Sequence, residues 1–218
     1  MMLRRKLFWL VCWGIAFGYI EASIVVYLRK IYYPAGFSFP AVIIEPDIET
    51  VEIIREITTL VFMWAVAELS YRSFQCRLAV FMFLFGVWDI FYYVSLKAIL
   101  NWPTSLTDWD ILFLVPLPWV GPVWAPVVVS TGMILAGSAI LIRSERGKPL
   151  DMGTGFMLLE VAAGVIIILS FLIPGQAVIR QTVPHHFPWY LFMVGFGSGL
   201  GAFGWKLTGG GLKGKGKP

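Results

Sequence analysis

The chain has 218 residues, of which 58% are hydrophobic and 14% charged; its mean hydropathy is +0.78 and its formal net charge +4. A soluble domain carries about 25% charged residues, so this composition leaves no room for a sizeable soluble domain and places the chain among membrane proteins. The two cysteines, Cys12 in the first apolar run and Cys76 in a basic connector, suggest neither a disulfide framework nor a thiolate zinc site.

The N-terminus, MMLRRKLFWLVCWGIAFG, has the basic start of a signal peptide, with Ala16-x-Gly18 as a candidate cleavage point. The apolar run continues to Leu28, long enough to span, so a retained signal anchor is expected. Five further spans follow, each near the roughly 20 residues a bilayer requires. The six are Leu7–Leu28, Val51–Tyr71, Leu78–Leu100, Pro122–Ile142, Met152–Ile173 and Pro188–Leu207. The second opens on EPDIETVE, with Pro46 at a first helical position and acids in the opening turns. Pro174-Gly175 is a natural stop for the fifth, and Pro188 starts the sixth.

The fold class expected is therefore an all-α integral membrane protein. Residues 1–207 form one six-helix transmembrane domain, and residues 208–218 a flexible basic cytoplasmic tail. With the N-terminus inside, 12 of the 17 Lys and Arg residues fall on the cytoplasmic side. The positive-inside rule then puts both termini in the cytoplasm of an inner-membrane, multi-pass protein. Before the fourth helix, WDILFLVPLPWVG is apolar but broken by Pro116 and Pro118, which a regular helix interior does not tolerate. An interfacial or shallow re-entrant element is expected there, on the extracytoplasmic side. Trp102, Trp109, Trp119, Trp124 and Trp189 map to the same boundary as an aromatic belt.

Small residues recur in the first helix (Gly14, Gly18, Ala22) and in the last (Gly195, Gly197, Gly199, Gly201, Gly204). This spacing lets helices approach closely, within the chain or against other membrane subunits or a second copy. The GFGSGLG run lies inside a span, which excludes a dinucleotide loop.

Charged groups within a span cost about 2.5–3.5 kcal/mol each on insertion scales, so each needs a partner or a purpose. Glu68 has Arg72 four residues on, a surface pair of no functional weight. Glu160 is assigned a protonated carboxyl or an interhelical hydrogen bond. Asp89, near the middle of the third span, has Tyr92 and Tyr93 on its helical face and Lys97 one turn further: either a ladder toward the outer surface or a buried aspartate satisfied by one tyrosine or by another helix. Glu49, Glu52, Glu56 and Thr59 form one stripe on the second helix, facing Glu21, with Arg55 beside it to neutralise one or two acids. Lys97 is a candidate counter-charge for the remainder.

The polar chemistry thus gathers in the extracytoplasmic half. The candidate ligand-binding or proton-handling residues are Glu21, Glu52, Arg55, Glu56, Asp89, Tyr93, Lys97, Asp108 and Asp110. His185 and His186, the only histidines, lead into the last helix; with Glu56 they are the candidate ligands of a divalent metal. Haem is not expected, since no span contains a histidine. Binding of a small ligand or metal at this outward-facing site is the first functional expectation. A non-catalytic membrane subunit or quinol- or lipid-contacting anchor of a larger assembly, such as a respiratory one, is the second; a small-substrate transporter is the third. The basic residues flank spans, so no nucleic-acid partner is expected.

Overall fold

A computed structural model describes residues 2–208; the expected basic tail lies, beyond Thr208, outside the described residues. Among the described residues there are six helices: α1 (Met2–Tyr32), α2 (Pro46–Ser70), α3 (Phe74–Leu100), α4 (Trp124–Glu145), α5 (Thr154–Ile179) and α6 (Trp189–Leu207). Between α3 and α4 stand two short strands, β1 (Trp109–Phe113) and β2 (Trp119–Pro122). Four of the helices, α1, α3, α4 and α5, are long and apolar enough to cross a membrane. Large apolar side chains are exposed along the helices, among them Ile20, Val61, Leu135, Leu158 and Val194. A soluble monomer rarely shows so much contiguous apolar surface, whereas lipid covers it without cost.

The most buried helix is α3, which packs on α1, α2 and α4. Close approach on either side of it depends on glycine. Gly14 and Gly18 of α1 lie on Val87 and on the backbone of Trp88, as the small-residue spacing predicts. Gly86 of α3 and Gly137 of α4 sit so close to the opposite backbone that a Cβ at either would overlap a carbonyl oxygen. On α6, Gly195 packs against Ala163 and Ile167 of α5, and Gly199 against Glu160; Gly197, Gly201 and Gly204 have open space.

Two helix ends overturn an expected local feature. Helix α2 ends at Ser70, with Tyr71 extended, so Arg72 is off the helix and the spacing of four from Glu68 no longer brings the side chains together. Glu68 pairs instead with Arg77 of α3. Helix α5 runs through Pro174-Gly175 to Ile179. Proline removes one backbone donor but leaves the rest of the ladder, and here tertiary packing outweighs that loss. Pro174 and Gly175 are both buried, and Gly175 receives the carbonyl of Pro118 from the hairpin where a side chain would otherwise stand.

Gly175→Ala is therefore expected to cost about 1–3 kcal/mol through overpacking. Gly164→Ala, in the same helix with nothing within 4 Å of its added carbon, should be neutral or slightly stabilising. Thermal unfolding midpoints of the two variants in detergent check this; equal midpoints would mean that the Pro118 contact does not constrain the helix.

The proline-broken segment is a two-stranded antiparallel hairpin. Asp110 pairs with Gly121, Ile111 with Val120 and Phe113 with Trp119, with a bulge between Ile111 and Phe113. The prolines fall at and beside the turn, where a missing amide costs the ladder nothing. A two-stranded ribbon is marginal alone, and three ties hold this one. Gly175 receives Pro118, Arg29 of α1 bonds Asp110, and Glu56 of α2 accepts the Leu114 amide.

Candidate functional site

The inward stripe of α2 is Glu52, Glu56, Thr59, Met63 and Ala67, all buried. Its half nearer the hairpin is polar and its other half apolar. Arg55, one residue off the stripe, donates to Glu52 Oε2 through Nε (3.0 Å) and Nη2 (2.8 Å), and through Nη1 to Glu21 of α1. Thr59 Oγ1 donates to the other Glu21 oxygen at 2.7 Å. One guanidinium thus serves two carboxylates, and the facing stripes expected from sequence do meet.

A second charged pair seals the hairpin to α1. Arg29 Nη2 lies 2.8 Å from Asp110 Oδ1, with side-chain exposures of only 8% and 1%. The guanidinium stacks over Trp102 (3.7 Å to the ring centre) and Phe37 (4.4 Å), a desolvated cation–π setting. Burial pushes the Asp110 carboxyl above its ordinary range, and Arg29 is the largest pull in the other direction. The sequence reading assigned Arg29 no role. The available signal was its spacing, eight residues after Glu21, which repeats the helical face.

These groups line a cavity of about 360 Å³. Five carboxyls (Glu21, Glu52, Glu56, Asp89, Asp110) and two guanidiniums (Arg29, Arg55) contribute to it, with Tyr92 and Tyr93. Asp89 accepts from Ser130 Oγ of α4 at 2.8 Å, and Glu56 from the Leu114 amide at 2.8 Å. Among the described residues no basic side chain forms an ion pair with either.

Not every candidate residue joins the cavity. Lys97 Nζ donates to the carbonyls of Pro103 (3.0 Å) and Asn101 (3.4 Å), satisfying acceptors at the end of α3. It neither completes the Asp89–Tyr93 ladder nor neutralises the acids. Asp108 accepts from the Thr104 amide (2.7 Å), the Thr104 hydroxyl (2.8 Å) and the Ser105 amide (3.2 Å), which closes the loop ahead of β1. His185 and His186 are both exposed and do not line the cavity. Their neighbours Pro184 and Phe187 are buried, Phe187 against Phe171 at 5.3 Å, so the segment docks on its flanks and leaves the imidazoles outside. Among the described residues no three His, Cys, Asp or Glu side chains gather as a metal-binding group. Glu160 is separate too, its Oε1 buried without a partner between α5 and α6.

Slight burial raises the affinity of Asp108 for its proton, but the bonds from Thr104 and Ser105 and the charge of Lys97 prevail, so its carboxyl is held below the ordinary 3.8. A depressed folded-state value contributes stability that is complete above the unfolded value and disappears as pH falls through the folded one. Wild type should therefore unfold at a higher temperature than Asp108→Asn at pH 6, and the difference should close below 3.8. A difference unchanged down to the most acid pH would show that the charge of Asp108 contributes nothing.

Compared with protein-family models, with curated proteins and with solved structures, the chain matches none.

Proposed function

We propose that this is a six-span inner-membrane protein, with both termini cytoplasmic, that binds a small ligand in the acid-rich cavity of its extracytoplasmic half. Helices α2 and α6, with 25 and 19 residues, reach roughly 37 and 28 Å at about 1.5 Å per residue, enough for a hydrocarbon core. Of the charges that lower the hydropathy of α2, Glu52 and Glu56 lie on its inner stripe, and Arg55 beside it pairs with Glu52 and with Glu21 of α1, which removes part of their insertion cost. Alternation of six spans puts the hairpin and cavity outside, opposite the basic-rich ends. An impermeant maleimide should then label Thr107→Cys in intact cells; labelling only after lysis would reverse the orientation.

The observation that carries the ligand reading is the cavity, about 360 Å³ with five carboxyls against two guanidiniums. A volume of this order suits a small molecule rather than a lone ion, and the histidines that would favour a metal stand outside it. Native mass spectrometry of the full chain from mild detergent tests the reading. A bound mass is expected on the wild type and is expected to be lost in Glu56→Gln/Asp89→Asn. A wild type with no bound mass, or a variant that keeps it, would overturn the proposal.

The alternative, a membrane subunit of a larger assembly, draws support from the unfilled face of Gly197, Gly201 and Gly204 on α6. Co-purification of a defined set of other chains in native detergent would favour it, and a monodisperse single-chain particle would count against it.

A further inference from the structure

We propose that the cavity holds one membrane lipid whose headgroup carries an ammonium beside acceptor oxygens, as in phosphatidylethanolamine, with an acyl chain lying between α2 and α5. This rests on the reading of the cavity as a ligand site and names the class of that ligand.

The charge balance gives the first part. Arg55 bonds both Glu21 and Glu52, and Arg29 bonds Asp110, so the two guanidiniums offset two of the five carboxylate charges. Glu56 and Asp89 have no ion-pair partner among the described residues and accept from neutral donors, the Leu114 amide and the Ser130 hydroxyl. Beside them stands an aromatic wall in which Trp88 lies 5.3 Å from Phe85, 6.2 Å from Phe113 and 6.4 Å from Tyr92 between ring centres. Carboxylates next to π faces are the chemistry that recognises an ammonium group.

The second part comes from donors, independently of the acids. Arg29 and Trp88 are each 7% exposed, yet Arg29 Nη1 and Trp88 Nε1 are buried with no hydrogen-bond partner among the described residues, as is Trp119 Nε1. All three residues line this cavity. Buried donors are seldom left unpaired, and a phosphate diester next to the ammonium brings the acceptor oxygens that they lack. An amine alone would leave them unsatisfied.

The third part is the apolar length. Away from the acids, the lining continues through Phe81, Met133, Gly164, Ile167 and Ile168. Helix α2 packs on α3, and α5 on α6 and β2, with no extensive packing between α2 and α5. Residues of both helices line the cavity, Arg55 and Thr59 on α2 and Gly164 and Ile168 on α5. A chain can therefore reach the cavity sideways from the bilayer, without passing through water.

The test is native mass spectrometry of the full chain, stripped of lipid in detergent and given equal amounts of phosphatidylethanolamine and phosphatidylglycerol of distinguishable mass. The ethanolamine lipid should be retained about tenfold over the glycerol lipid, the ratio that one good charged contact confers. Glu56→Gln should bring the two near parity. Gly164→Leu, which places bulk where a Cβ meets nothing within 4 Å, should reduce retention of both while leaving the acids in place. It also serves if the acid variant fails to fold. Equal retention by wild type would overturn the ammonium assignment. Phosphorylethanolamine bound as well as the intact lipid, with Gly164→Leu indifferent, would overturn the acyl-chain assignment. Either result leaves the ligand site standing, whereas a wild type that retains no ligand of any kind removes the site and this proposal with it.

Discussion

Asp110→Ala is expected to destabilise the folded protein by about 3–5 kcal/mol, the usual cost of leaving a buried ion without its partner. Arg29 would keep its place between Trp102 and Phe37, but its guanidinium would lose the one carboxylate it bonds, and one Nη already lacks a partner. The hairpin would lose its tie to α1 and retain those to α2 and α5. Replacing both members, as in Arg29→Met/Asp110→Leu, should recover most of the loss, because a buried pair exchanged for apolar groups of similar size is often neutral. Thermal unfolding of the two single variants and the double closes the cycle. A double variant as unstable as the sum of the singles would show that the two side chains act independently.

What could be read from the sequence follows from how local the signal was. The stripe Glu52, Glu56 and Thr59, with Glu21 opposite, was legible because a 3.6-residue period fixes which side chains share a face. Both members are short-range patterns, and apolar runs this long face only two competing environments, lipid and neighbouring helices. The glycines of α1 were legible for the same reason, since close approach leaves a regular small-residue spacing.

Features set by contacts distant in sequence were not legible. Arg29 and Asp110 are separated by 81 positions, and nothing near Arg29 announces a carboxylate. Lys97 sits at the correct spacing above Asp89 and Tyr93, but helix spacing cannot show that the chain beyond Asn101 turns back to offer carbonyls. Adjacent side chains of an extended segment point to opposite sides, yet Pro184 and Phe187 are the buried residues here and both histidines are exposed. At WDILFLVPLPWVG, the prolines excluded a helix, yet the apolar run on both strand faces hid the alternation that marks a ribbon. Both faces are covered here, by Phe171 and Phe187 at Gly121 and by the cavity wall at Phe113. Pro174 misled in the opposite way, because a local stop signal yielded to the packing of Gly175 on Pro118.

Arg55→Ala should be at least as damaging as loss of Asp110, about 3–5 kcal/mol or more, because a single guanidinium serves two carboxylates. Without it, Glu21 (4% exposed) and Glu52 (6%) face each other and Glu56 (7%) with no counter-charge. The Thr59 hydroxyl would remain on Glu21, but a neutral donor does not offset a second buried anion. Arg55→Lys should fall between wild type and alanine, since one ammonium cannot reproduce the fork that reaches both acids. Arg55→Met combined with Glu21→Gln and Glu52→Gln should regain much of the stability, as the unpaired charges are removed with the arginine. Binding separates this structural role from a role in recognition. If Arg55 only offsets charge on Glu21 and Glu52, folded Arg55→Lys keeps the preference for an ammonium-headed lipid that Glu56 and Asp89 confer. If that preference disappears while the thermal midpoint barely moves, Arg55 belongs to the surface that touches the headgroup.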